Sequence, residues 1–244
     1  MSRDGDRVVL VTGASRGIGL EVVKQLAESG LTVVLTARDI DKARAAAEPL
    51  SASGLAVIPK QVDVADDASV KALADDIERE YGRLDVLVNN AAAFADWQEV
   101  ASSANLDSVL SVLQTNLFGA WRMTQAFLPL LRKSDHPRIV NVSSGGGSHG
   151  DMQFGLTTNG GASASYGISK AALNTLTSKF AAELAGTNIL INAVCPGLTA
   201  TSPGMENFGA RPIPDGAKSV VWAVNLPDNG PTGGFFRDGS PLAW

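Results

Sequence analysis

The 244-residue sequence has a single cysteine, two histidines and two tyrosines. One cysteine, Cys195, excludes an intrachain disulfide framework and makes a reduced, cytoplasmic setting the expectation. The histidines, His136 and His149, lie apart in the chain, so no zinc-ligand cluster can be assembled and no metal is expected. No apolar run approaches the roughly 18 residues of a membrane span. Residues Met1 to Arg7 also lack the apolar stretch of a signal peptide. A cationic excess is missing too: 20 Lys and Arg against 25 Asp and Glu leave a net charge of −5, which argues against a nucleic-acid partner. What the chain does have is length enough for one sizeable core over residues 1–244, and 25 glycines. Their placement carries the argument.

Short β-branched runs alternate with longer helical patterns. Val8 to Val11 is apolar, and Leu20, Val23 and Leu26 follow at helical spacing. The runs Thr32 to Thr36, Leu55 to Ile58, Leu84 to Val88, Arg138 to Val142 and Ile189 to Val194 read as further strands. Helices are predicted over Asp39 to Leu50, around Val70, Leu73 and Ile77, over Leu106 to Arg132, and over Ser163 to Leu184. Continuous apolar strands between helices indicate a parallel sheet covered on both faces. The fold class is therefore α/β, a doubly wound Rossmann sheet of about seven strands in one domain. Two Gly-, Ser- and Pro-rich stretches, about 144–161 and 199–216, interrupt this rhythm without bounding a separate domain. Long loops inside a compact domain are commonly functional, so both are expected to serve a substrate.

Directly after the first strand comes Thr12-Gly13-Ala14-Ser15-Arg16-Gly17-Ile18-Gly19, opening the first helix. Glycines let a backbone turn sharply and approach a ligand, and a helix N-terminus offers unpaired N–H groups and a positive dipole end. In this context the turn is expected to hold the pyrophosphate of a dinucleotide. The end of the second strand indicates which dinucleotide. A carboxylate there would accept from a ribose 2′-OH, whereas an arginine would receive a 2′-phosphate. The sequence offers small Ala37 followed by Arg38, with Arg16 as a second cation, and guanidinium groups pair well with phosphate. NADPH is thus the expected cofactor. Asp39 keeps an NAD reading open if the strand ends one residue later.

Tyr166 and Lys170 stand four apart at the start of a predicted helix and so share a face. A free phenol titrates near pH 10, and an ammonium close by is expected to lower that value. Such a pair can give a proton to a carbonyl oxygen or take one from an alcohol. Together with the glycine turn, the Tyr-x3-Lys pair resembles the short-chain dehydrogenase/reductase family in its short, single-domain form. Further motifs follow in order: Asn89-Asn90-Ala91 after the fourth strand, Asn116 in the long central helix, Ser143-Ser144 ending the fifth strand, and Pro196-Gly197 after the sixth, leading to Thr201.

The resemblance implies a role for each residue. Tyr166 is the acid–base, Lys170 lowers its pKa and holds the nicotinamide ribose, Ser144 bonds the substrate oxygen, and Asn116 keeps a water-linked proton path to Lys170. Gly13, Ser15, Arg16, Gly17, Ile18, Gly19 and Arg38 border the cofactor, as do Asp63, Val64, Asn90, Ala91, Pro196, Gly197, Thr199 and Thr201. Asp63 would contact the adenine, with a helix cap as its alternative, and Asn116 has a buried structural role as its own. Phe94, Trp97, His149 and Met152 are candidates for the substrate pocket.

Three departures stand out. Ala92 replaces a customary glycine, and Ser202-Pro203 stands where many members have Asp-Met. The Ser144-to-Tyr166 spacing is longer than is common, which implies an insertion within Gly145 to Gly161. That insertion and the ending Gly230 to Phe236 resemble the carbonyl-reductase-like branch. The expected activity is reduction of a small-molecule ketone or aldehyde with NADPH. The alternatives are NAD-linked alcohol oxidation and a non-catalytic NADP(H) sensor. Family helices commonly pair, but the insertion precedes the pairing helix, so assembly as a homodimer or homotetramer stays open. Cys195 is expected to be buried and inert, with nothing near it in sequence to activate it.

Overall fold

The computed structural model describes residues 7–244; the N-terminal stretch read above for a signal peptide lies almost wholly outside them, in residues 1–6. The elements run β1 (Val8–Val11), α1 (Gly17–Glu28), β2 (Thr32–Ala37), α2 (Ile40–Ala52), β3 (Val57–Gln61), α3 (Asp67–Tyr81) and β4 (Val86–Asn89). They continue with α4 (Leu106–Leu113), α5 (Ala120–Leu131), β5 (Arg138–Val142), α6 (Ala164–Glu183), β6 (Leu190–Val194), α7 (Ile213–Val224), β7 (Phe235–Arg237) and β8 (Ser240–Pro241). One sheet has the order β3-β2-β1-β4-β5-β6-β7-β8, parallel except at β8, which turns back antiparallel on β7. The sheet thus has eight strands rather than about seven. The extra one is a two-residue return through Asp238-Gly239, both at positive φ, too short to show as a periodic run.

Strand alternation divides the core into two layers. Val9, Val11, Val33 and Leu35 point to one face and pack with Val22, Val23 and Leu26 of α1 and Val220 and Val224 of α7. Val8, Leu10, Val34 and Leu87 point to the other, against Leu73 and Ile77 of α3, Met123 and Phe127 of α5, and Leu173, Leu176 and Phe180 of α6. Each such side chain contributes about 1.5–3 kcal/mol when fully buried, so register is strongly specified on both faces. Reversal of strand order between β1 and β4 opens a crevice at the strands' carboxyl ends.

Two expectations need correction. The helix predicted over Leu106 to Arg132 is two helices joined by a π-helical turn, Gln114–Gly119. Such wide turns are frequent at functional sites, and this one holds Asn116. Its six residues are too few for periodicity to distinguish it from the α-helices on either side. The loop predicted over 199–216 ends at Pro212, the residue before α7, which has Pro214 in its first turn and buries Ala217 and Val220. Among the described residues, no helix is long and apolar enough to cross a membrane.

Candidate active site

The glycine turn is stitched to the end of β4 by side chains. Thr12 Oγ1 accepts from the N–H groups of Asn90 and Ala91, each at 3.0 Å. Asn90 Nδ2 in turn donates to the carbonyls of Thr12 (2.8 Å) and Gly13 (3.0 Å). Asn90 therefore borders the cleft by holding the turn's backbone. The glycines are sterically required: a Cβ on Gly13, at φ +62°, would stand 2.7 Å from Ala91 Cα, and one on Gly19 would run into the Asn90 amide. At Gly17, φ +58°, the way is open apart from Thr201 Cγ2 at 3.8 Å. The backbone is thus bared toward the cleft at the N-terminus of α1, as a pyrophosphate requires.

Arg16 and Arg38 are exposed beside this turn, and neither side chain has an ion-pair or hydrogen-bond partner among the described residues. Asp39, the residue that kept an NAD reading open, caps α2 instead, its carboxylate accepting from Asp41 N at 2.9 Å and Lys42 N at 3.3 Å. Asp63 Oδ1 accepts from Ala65 N at 3.0 Å, while the cap of α3 falls to Asp66. Val64 is buried and fits against Gly119 of the π turn. Small Ala37, open Gly17 and two unpaired guanidinium groups together fit a dinucleotide bearing a 2′-phosphate.

A cavity of about 570 Å³ extends from this turn across the ends of β5 and β6. Its wall includes Ile18, Ser144, Tyr166, Pro196, Gly197, Thr199 and Thr201. Ser15 lies outside that wall, in the half-buried part of the glycine turn. Thr199 is buried, its hydroxyl donating to Pro196 O and Gly197 O.

Ser144 and Ser143 part company at the strand end. Ser143 Oγ turns inward and donates to Asn174 Oδ1 at 2.6 Å. Ser144 Oγ accepts from Gly146 N at 3.1 Å and hydrogen-bonds the Tyr166 phenol. Lys170, buried, donates from Nζ to Val142 O at 2.7 Å and lies 5.6 Å from the centre of the Tyr166 ring. The lowered phenol expected from that neighbour is reversed. Burial pushes the Tyr166 phenol up to about 12, with the Cys195 sulfur adding to the rise and Ser144 opposing it. Burial also pulls Lys170 down to about 8, against a smaller opposing pull from Cys195. Desolvation governs both shifts, because both charged forms lose water.

Asn116 does not touch Lys170. Its amide brackets Ala93, accepting from Ala93 N at 2.7 Å and donating to Ala93 O at 3.0 Å, and donates to Ser169 Oγ at 2.9 Å.

Of the four residues expected around the substrate, only Trp97 lines the cavity. Phe94 lies behind the wall, its ring 4.9 Å from that of Tyr166 and 4.1 Å from that of Trp97. His149 and Met152 are displaced because the inserted loop is drawn to the chain's end. His149 N and Gly150 N donate to Trp244 O, Ser148 Oγ donates to Ala243 O, and Met152 is left 89% exposed. The loop instead contributes Phe154 and Leu156 to the wall.

Sequence reasoning missed a cluster beneath the serine turn. Arg237 Nη2 donates to Asp151 Oδ2 at 2.5 Å, and Arg237 Nε and Nη2 both stand 3.4 Å from Cys195 Sγ. The sulfur also accepts from Gly145 N at 3.2 Å and Gly197 N at 3.3 Å. Cys195 is buried as expected, but it has a guanidinium beside it. Burial works against the Asp151 charge, yet the N–H groups of Phe154 and Gln153 and the Arg237 guanidinium hold the carboxyl below its usual range. With the two partners 86 positions apart, no local signal in the sequence announces the pair.

The described residues contain no group of three or more His, Cys, Asp or Glu placed to hold a metal ion. Comparison with known proteins matches residues 7–211 to the short chain dehydrogenase family model. Salutaridine reductase of Papaver bracteatum is 35% identical, covering 97% of this chain and 96% of its own. Carbonyl reductase [NADPH] 1 of Sus scrofa is 33% identical, covering 98% and 94%. The crystal structure of NADPH-bound carbonyl reductase from chicken fatty liver superposes with a TM-score of 0.86 at 28% identity, covering 98% of this chain and 99% of that one. Strand order, crevice and ordered motifs agree with a match that runs through most of the chain, which therefore belongs to the short-chain dehydrogenase/reductase family.

Proposed function

We propose that the protein is an NADPH-dependent carbonyl reductase that converts a ketone or aldehyde to an alcohol. The observation that carries this reading is that Ser144 and Tyr166, with buried Lys170 behind the Tyr166 ring, share one cavity wall with Ile18 and Thr201. The relatives named for NADPH and carbonyl reduction support it.

The dinucleotide, when bound, supplies the hydride for the carbonyl carbon. Arg16 and Arg38 hold its 2′-phosphate, the turn from Gly13 to Gly19 its pyrophosphate, and Pro196 to Thr201 its nicotinamide end. Ser144 donates a hydrogen bond to the substrate oxygen and stabilises the negative charge developing there. Tyr166 gives that oxygen its proton. Its phenol, pushed up to about 12 by burial, is fully protonated at neutral pH, the form a proton donor must have. Lys170, at about 8, is still mostly cationic at neutral pH, so its charge is available as the phenolate forms. Asn116 fixes the Ala93 backbone and Ser169, one residue before Lys170, and so holds the proton-supply side of the site.

Replacing Tyr166 by Phe tests the assignment. NADPH consumption with aldehydes, aromatic ketones, diketones and quinones should vanish, while NADPH binding, followed by its fluorescence, should persist. Retained turnover would reject the reading.

A further inference from the structure

Among the described residues, the cavity wall contains one cation, Arg237. It ends β7, beside Cys195 just past β6, and presses on Gly145, one residue beyond Ser144: a Cβ there would run into both Arg237 Nη2 and the Asp151 carboxylate. Nε and Nη2 are spent on Cys195 and Asp151. Asp151 is spent as well, because its Oδ1 accepts from Gln153 N and Phe154 N, each at 3.0 Å. Nη1 has no partner among the described residues, and it is not among their buried polar atoms left unsatisfied, so it remains accessible on a residue that lines the cavity. A guanidinium offers its donors in a planar fork, and two of them here are unused. The same wall carries the apolar side chains of Trp97, Phe154, Leu156, Ile168 and Met205.

We propose that Arg237 is a substrate-binding residue whose Nη1 edge takes an anionic oxygen group, so that the preferred substrates are oxo acids joined to their reacting carbonyl by an apolar spacer. The carbonyl oxygen lies on Ser144 and Tyr166, the spacer along Trp97 and Leu156, and the carboxylate on Arg237. This rests on the carbonyl-reductase reading. An anion is the fitting ligand because hydrogen bonds between charged partners are about twice as strong as neutral ones. Asp151 competes for the same charge from the opposite edge.

The test compares 4-oxo-4-phenylbutyrate with its methyl ester, which share a skeleton and differ in charge. In the wild type, kcat/KM for the acid should exceed that for the ester by about tenfold or more, mainly through KM, as one charge-assisted bond would give. Arg237→Gln should bring the ratio near one, because the acid loses far more kcat/KM than the ester. Asp151→Asn keeps an oxygen for Gln153 N and Phe154 N but removes the competing charge, so the ratio should rise. If Asp151 and Arg237 serve only to dock the inserted loop, both variants depress acid and ester alike, and the proposal fails. It also fails if the wild type prefers the ester. Should neither compound be reduced, the reductase reading is in question. Calorimetry of the acid with NADP+-loaded protein then decides separately: binding lost in Arg237→Gln supports the site, and no binding to the wild type overturns it. Should Arg237→Gln not fold, the Asp151→Asn arm stands alone, and no gain for the acid overturns the proposal.

Discussion

The ring of Phe94 stands 4.9 Å from the ring of Tyr166 and at 49° to it, and the ring of Trp97 lies 4.1 Å from that of Phe94 at 36°. A residue expected to touch substrate thus braces the proton donor. The segment carrying it is fastened to the start of α6, where Ser165 N donates to Glu99 Oε2 at 2.8 Å and Ser163 Oγ to Trp97 O at 3.1 Å.

Phe94→Ala should therefore lower kcat with little change in KM for NADPH. Aromatic pairs contribute about 0.5–1.5 kcal/mol beyond their buried area, which corresponds to roughly 2- to 12-fold in rate if it acts through Tyr166 alone. Steady-state kinetics decide the matter. An unchanged kcat with a raised KM for the carbonyl compound would make Phe94 a pocket residue after all.

Reduction should weaken as pH rises through about 8, where Lys170 loses its proton, while Tyr166 remains a donor to far higher pH. A flat kcat/KM profile from pH 7 to 10 would contradict this. The same shift bears on stability. Because the fold lowers the Lys170 pKa, its charge opposes folding at neutral pH, and that cost fades as pH climbs from about 8 toward the ordinary 10.5. Lys170→Met should abolish turnover and raise Tm at pH 7 by about 2–4 °C, the shift for about 1 kcal/mol in a chain of this size. The gain should shrink near pH 10.

Arg16 and Arg38 are expected to set cofactor choice. Arg38→Asp should cut kcat/KM for NADPH by at least about tenfold, since a hydrogen bond to a charged group contributes about 1.5–3 kcal/mol, and should spare NADH. Asp39→Ala, by contrast, removes a helix cap. It should cost about 0.5–2 kcal/mol of stability in thermal unfolding and leave the NADPH-to-NADH ratio unaltered.

How much of this was legible beforehand follows from range along the chain. The strand–turn–helix with its glycines and the four-residue spacing of Tyr166 and Lys170 are local, so both could be read directly. The π turn at Asn116 was hidden, since its six residues are too few for periodicity to separate a wider turn from the α-helices that flank it. The places of His149 and Met152 were misjudged because the inserted loop is positioned by Ala243 and Trp244, at the far end of the chain.

The sequence by itself determined the alternation of buried strands and amphipathic helices, the family, and the order of the motifs, because periodicity and short spacings act between neighbours. Only the tertiary structure decided that Ser143 turns inward onto Asn174, that burial drives Tyr166 up and Lys170 down, and that Asp151 meets Arg237 under the serine turn. Each depends on which surfaces lose water and which distant strands become adjacent, and those relations exist only once the sheet has closed around its two layers.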